Sequence, residues 1–213
     1  MIRIKICGLT TLEDARWAWR CGADLLGFIL VPASPRYIPA ARVAEITRAL
    51  TAEGCAAQYV GVFAGEPLAD IRRAVQVAGL HLAQLHGEVT PAEVEALGWP
   101  VILARRIRAR DAGPLPWDEL ARYPAWACLL DGYDPHKLGG TGQTWDWSLA
   151  RGAPPGWRVI IAGGLTPENV GQAIRQARPW GVDVSSGVER SPGRKDHAAV
   201  ERFIQRVREE ETT

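Results

Sequence analysis

The stretch "WRVIIAGGLTPENVGQAIRQARPWGVDVSSG", residues 157–187, decides between two architectures. It opens on an apolar run, "WRVIIAGG", that reads as a buried strand. "TPENVGQAIRQAR" has the pattern of a well-capped helix, and "GVDVSSG" is a second short strand. Strand, helix and strand in about thirty residues make one βαβ unit with parallel strands. An open, doubly wound sheet usually carries its phosphate-binding glycines after the first strand. Here the Gly-rich turns follow the last strands, where a closed (β/α)8 barrel frequently builds a phosphate site.

The same rhythm extends upstream. "RIKICG" is a first strand, followed by a helix over "TTLEDARWAWRCGAD", capped by Thr10 or Thr11 and stopped at Gly22. "DLLGFIL", "QYVGVF" and "LHLAQLH" are strands two to four. The helices between and after them run from Ala40 to Leu50, over "EPLADIRRAVQVAG", and over "TPAEVEALG" with Pro91 in its first turn. "PVILARRI" is strand five, a Pro-rich stretch from Pro114 to Pro124 covers a weak fifth helix, and "AWACLLD" is strand six. "DWSLA" is a short helical turn before strand seven, "VERSPGRKD" a loop after strand eight, and a last helix runs from about His197 to Glu209. Eight strands, each followed by a helix or helix-like segment, predict an α/β chain. It is expected to form a single (β/α)8 TIM barrel domain over residues 1–213, with a closed, parallel, eight-stranded sheet.

Composition excludes several classes. The chain has 213 residues, of which 47% are hydrophobic, enough for a sizeable core, and 25 basic residues balance 24 acidic ones. No nucleic acid or membrane surface held by bulk electrostatics is expected. No run of about 18 apolar residues suggests a span, and no signal peptide is read. Cys7, Cys21, Cys55 and Cys128 form no CxxC pair, so reduced thiols in a cytoplasmic protein are expected.

In such barrels the active site lies at the carboxyl ends of the strands. There the chain places Cys7, Arg36, Gln84, His86, Asp131, Gly163, Gly164, Asp183, Ser185, Ser186 and Gly187. Gly163, Gly164, Ser185, Ser186 and Gly187 offer close backbone approach, amides and hydroxyls for a phosphate. "GGTG", Gly139 to Gly142, is a third cluster, which reads as a lid or wall of that site or as a flexible loop. His81, His86, His136 and His197 show no paired-ligand spacing, so no metal is expected, and no G-x-S-x-G elbow is present. One thiol and one carboxylate remain, Cys7 as a general base and Asp131 as a general acid. Cys128 lies three residues before Asp131, so it points toward the helices and is packing.

The first strand poses its own problem. If Ile2, Ile4 and Ile6 face the helices, then Arg3, Lys5 and Cys7 point into the barrel. A lysine there must be paired. Asp183 on the neighbouring closing strand is the expected partner, with Asp131 as the alternative, and the Lys5 charge would favour the Cys7 thiolate. Arg3, nearer the opposite end, can extend to water and needs no such partner.

The segments "KICGLT", "GFILVPASPRYI", "VGVF", "AQLHG", "LLDG…GGTGQTWDWSL", "AGGLTPENV" and "VDVSSGVERSPGRKD" resemble the phosphoribosylanthranilate isomerase family, in order and over the whole chain. Residues 105–124 resemble it least. The resemblance implies the isomerisation step of tryptophan biosynthesis, an Amadori rearrangement of N-(5-phosphoribosyl)anthranilate, with no cofactor and no metal. It implies Cys7 as base, Asp131 as acid, Arg36 as the holder of the anthranilate carboxylate, and the "AGGL" and "SSG" segments as the phosphate site. The partner expected is a phosphorylated small molecule, and the protein a monomer or homodimer. Two other readings stand beside it. A histidine-pathway isomerase relies on acids at the ends of strands one and five, where this chain has Cys7 and "RRIRA". A phosphate-ligand binding barrel without chemistry would have no need of both Cys7 and Asp131.

Overall fold

A computed structural model describes residues 1–108, 113, 115–133 and 145–212. The "GGTG" cluster, His136 and Pro114 lie outside the described residues. The strands are β1 (Arg3–Ile6), β2 (Leu25–Ile29), β3 (Gln58–Ala64), β4 (Leu82–His86), β5 (Val101–Arg108), β6 (Ala127–Tyr133), β7 (Val159–Ala162) and β8 (Gly181–Val184). They pair in chain order, all parallel, and β8 closes on β1. The helices are α1 (Leu12–Arg20), α2 (Ala40–Ala52), α3 (Leu68–Val77), α4 (Pro91–Leu97), α5 (Trp117–Leu120), α6 (Val170–Ala177) and α7 (His197–Glu210). The eight-stranded closed barrel expected from the sequence is therefore present.

Alternation sorts the strand residues into two cores. Ile4, Ile6, Leu26, Phe28, Cys128, Ile161 and Val182 face the helices. Leu25, Val60, Leu82, Ile102, Leu129 and Ile160 fill the barrel interior. Each such buried aliphatic side chain is worth about 1.5–3 kcal/mol. The interior parity carries Lys5, Gln84, Asp131 and Asp183 inward, and Cys128 outward. Burial pushes the Cys128 thiol up to about 12, as for a buried, inert thiol.

The helix entries show which local signals hold. Thr11 caps α1, its Oγ1 accepting from Asp14 N at 3.1 Å. Thr90 and Glu93 form a capping box ahead of Pro91. The well-capped helix expected over "TPENVGQAIRQAR" is corrected: α6 starts only at Val170, and its N-cap Asn169 makes no side-chain capping bond. The Asn169 amide serves the preceding loop instead, with Oδ1 accepting from Thr166 N at 2.8 Å and Nδ2 donating to the Gly164 carbonyl at 2.9 Å. "DWSLA" becomes a 3-10 helix, Trp147–Gly152.

The loop expected over "VERSPGRKD" is also corrected. After a 3-10 turn, Ser186–Val188, it forms an antiparallel hairpin of β9 (Glu189–Ser191) and β10 (Arg194–Lys195). Pro192-Gly193 makes the turn, with Gly193 at φ +77°. Among the described residues no helix is long and apolar enough to cross a membrane.

Candidate active site

The carboxyl ends of β1, β8 and β6 bring a thiol, an ammonium and two carboxylates together inside the barrel mouth. Lys5 is fully buried, and its Nζ lies 3.0 Å from Asp183 Oδ1. The two residues are cross-strand neighbours, because β1 pairs with β8 in the register Lys5↔Asp183. Asp183, rather than Asp131, is thus the partner of Lys5. Burial alone would discharge this lysine, but the Asp183 and Cys7 groups beside it outweigh burial and hold its pKa above the ordinary value. Arg3 sits at the opposite end, as expected, yet it does take a partner, Asp24, at 2.6 Å.

Cys7 follows β1 directly, its N–H donating to the Val184 carbonyl at 2.9 Å. Its side chain shares its space with Lys5 across Gly27 on β2. A Cβ at Gly27 would lie 2.8 Å from Cys7 Sγ and 3.1 Å from Lys5 Nζ. Glycine is required here for close approach, a requirement the sequence reading of "DLLGFIL" missed. The expectation that cations would depress the Cys7 thiol needs correction. Burial raises it above its ordinary value and outweighs the opposing charges of Lys5 and Lys195. The lysines limit the cost of forming a thiolate there without making it the resting form.

Burial shifts Asp131 in the same direction. Burial, together with the Asp183 charge, pushes its carboxyl up to about 6, against the opposing pull of Arg106 and Lys5. Arg106 is its register neighbour on β5. A carboxyl in this state keeps a substantial protonated population near neutrality. Gln84 and His86 also project inward from β4, with Gln84 Nε2 2.7 Å from His86 Nε2. Burial, Lys5 and Arg106 push His86 down to about 4. At that value the imidazole is neutral near pH 7. His81, by contrast, lies before β4 and stacks on Tyr59 at 4.9 Å. Among the described residues no three His, Cys, Asp or Glu side chains gather as a metal site.

The loops after β7 and β8 pack against each other at the same rim. A Cβ on Gly187 would collide with the Leu165 carbonyl oxygen. Any side chain there would push the Ser185–Gly187 backbone away from the loop that carries Gly163 and Gly164. Ser185 Oγ is buried and has no hydrogen-bond partner among the described residues. Such an orphan is costly unless a ligand satisfies it.

Arg36 comes from the loop between β2 and α2, where its N–H donates to Ser34 Oγ at 3.1 Å. Its guanidinium grips Glu189 with two nitrogens, and Glu189 also takes the buried Lys195 at 2.9 Å. Lys195 Nζ donates as well to the Ser185 carbonyl at 3.1 Å. Burial would raise the Glu189 carboxyl, but the hydrogen bonds and charges of Arg36 and Lys195 hold it below its ordinary range. Neither Glu189 nor Lys195 was singled out in the sequence. The Pro-Gly dipeptide between them was the available signal, because it marks the hairpin that folds them back onto the rim.

Comparison with known proteins meets this geometry. The family described as N-(5'-phosphoribosyl)anthranilate (PRA) isomerase matches residues 4–206. The chain belongs to the PRA isomerase family. A PRA isomerase of Pelobacter propionicus is 44% identical over 209 residues, covering 98% of this chain and 97% of that protein. The crystal structure of the Thermus thermophilus PRA isomerase superposes with a TM-score of 0.85 at 40% identity, covering 98% of this chain and 99% of that one. A PRA isomerase solved with reduced 1-(o-carboxyphenylamino)-1-deoxyribulose 5-phosphate superposes at 0.79 with 32% identity, covering 98% and 100%. Among the family's PRA isomerases, this chain thus shares both sequence and barrel over nearly its full length.

Proposed function

We propose that this protein is a PRA isomerase, converting N-(5-phosphoribosyl)anthranilate to 1-(2-carboxyphenylamino)-1-deoxyribulose 5-phosphate in tryptophan biosynthesis. The observation that carries the mechanism is the pairing of two opposed groups in one mouth. Asp131 is a carboxyl raised to about 6, and Cys7 is a thiol beside a buried ammonium. The reaction needs both an acid and a base, because the aldose is oxidised at C2′ as C1′ is reduced within one molecule.

Asp131 gives its proton to the furanose ring oxygen as the C1′–O bond breaks, and the ring opens to a Schiff base. The Cys7 thiolate then takes the C2′ proton. The electron pair of that bond moves toward the imine nitrogen, giving an enolamine. Tautomerisation, with a proton added at C1′, yields the ketone. Lys5 charge stabilises the developing thiolate, and Asp183 keeps Lys5 charged and fixed in place. Gly163, Gly164, Ser185, Ser186 and Gly187 take the phosphate, and the Ser185 hydroxyl, without a hydrogen-bond partner among the described residues, supports that assignment. Arg36 takes the anthranilate carboxylate through a charge-assisted contact.

Turnover of purified protein, followed by loss of the anthranilate fluorescence of the substrate, tests this reading, with the histidine-pathway aminoaldose substrate run in parallel. Activity on the anthranilate compound and complementation of a tryptophan auxotroph are expected. Activity on the second substrate alone would replace the reading, and inactivity on both would leave a binding barrel.

A further inference from the structure

Arg36 reaches the rim with one edge of its guanidinium already occupied. Nε donates to Glu189 Oε1 and Oε2 at 2.9 and 3.0 Å, and Nη2 donates to Oε2 at 2.7 Å. Among the described residues Nη1 makes no hydrogen bond, so the Nη1–Nη2 end is open. The Arg36 stem lies across Gly8, where a Cβ would stand 2.7 Å from Arg36 Cδ, next to Cys7 in the chain. Behind it, Glu189 accepts from Lys195 Nζ at 2.9 Å and from Gly193 N at 3.3 Å. Exposure falls along this line from 21% for the Arg36 side chain to 4% for Glu189 and 0% for Lys195. A buried ammonium backs a buried carboxylate, and the carboxylate backs a guanidinium that opens toward the mouth.

We propose that Glu189 is a positioning residue for the substrate carboxylate. It locks Arg36 so that its Nη1–Nη2 end faces the ligand, and Lys195 neutralises Glu189 so that this orientation brings no repulsion. The inference rests on the reading of Arg36 as the carboxylate holder. Two effects of Glu189 oppose each other. Its hydrogen bonds remove the rotamer freedom that a long Arg side chain otherwise loses on binding an anion. Its charge, one guanidinium width from the ligand, would repel a second carboxylate. The Lys195 ammonium cancels most of that field at the ligand, because the two charges act from nearly the same place. Hydrogen bonds are directional and survive this cancellation, so orientation wins.

The test measures binding of two compounds to the full chain by calorimetry. One is reduced 1-(o-carboxyphenylamino)-1-deoxyribulose 5-phosphate, and the other is the same compound with an unsubstituted phenyl ring. Glu189→Gln should bind the first about tenfold more weakly and the second within about twofold of the parent. It should add no loss in an Arg36→Met background. Glu189→Asp keeps the ion pair with Lys195 but is too short to hold Arg36 as well, so it should show the same selective loss even if the Gln variant folds poorly. Equal losses for both compounds would mean a merely structural role and overturn the proposal. Tighter binding of the first compound by Glu189→Gln would show that Glu189 competes with the ligand, and also overturns it. If Arg36→Met abolishes the discrimination between the compounds and the Glu189 variants do not reduce it, only the positioning role falls. If Arg36→Met leaves the discrimination intact, the reading of Arg36 itself falls.

Discussion

Replacing Lys5 with Met removes a positive charge that acts on both the thiol and the carboxylates from inside the barrel. The Gly27 geometry places Cys7 Sγ and Lys5 Nζ no more than about 6 Å apart, a distance at which an opposite charge favours the ionised form. With an effective dielectric constant of about 20, that separation is worth about 2–3 kcal/mol to the thiolate. Its loss corresponds to roughly a hundredfold smaller thiolate population at neutral pH. Lys5→Met should therefore cut kcat/KM about a hundredfold and slow alkylation of Cys7 by iodoacetamide at pH 7 by a similar factor. The variant also strands Asp183 without its partner at 3.0 Å, and breaking a buried pair costs about 3–5 kcal/mol. A Lys5→Met/Asp183→Asn double variant separates the two effects, since it leaves no unpaired charge and should regain much of the stability. Cys21, Cys55 and Cys128 are replaced with Ala in every protein compared, so that alkylation reports Cys7 alone. If a folded Lys5→Met protein alkylates at the parent rate across pH 6–9, Lys5 has no electrostatic role in forming the thiolate.

Four further outcomes follow from the same site. Cys7→Ser should lose about 10²–10⁴ in kcat while keeping its circular dichroism spectrum, because an alcohol is a far weaker base; a variant with near-parental turnover would remove Cys7 from the mechanism. With the acid at about 6 and the base raised, the active pair is protonated Asp131 with ionised Cys7. The parental kcat/KM should then rise toward pH 6 and level off, whereas the residual rate of Asp131→Asn should keep climbing with the thiolate. Asp131 is raised from 3.8 to about 6 in the fold, so the native state holds its proton more tightly than the unfolded chain, and stability falls as pH rises between those values. Asp131→Asn should accordingly be the more stable protein at pH 7, by up to about 3 kcal/mol, in urea titrations, and a gain that is the same at pH 3.5 would contradict this origin. Gly187→Ala should weaken inorganic phosphate as a competitive inhibitor, since its methyl would meet the Leu165 carbonyl, and an unchanged inhibition constant would take that loop out of the phosphate site.

What the sequence determined by itself is local and periodic. Strand alternation told inside from outside in "RIKICG", which was enough to bury Lys5 and to put Cys7 at the rim, and the same parity separated Asp131 from Cys128. The order of the βα units fixed which strand closes on which, and so made Asp183 a neighbour of Lys5. Only the tertiary structure decided between Asp183 and Asp131 as its partner, because that choice depends on the register with which β8 meets β1. The same holds for Arg36, Glu189 and Lys195. Arg36 and Glu189 stand 153 positions apart, and nothing periodic links the loop after β2 to a hairpin after β8. The ionisation of Cys7 was legible least of all. A neighbouring lysine in the chain argues for a thiolate, but burial opposes it. Which of them prevails is set by how completely the closed barrel excludes water, a property of packing that no short stretch of sequence carries.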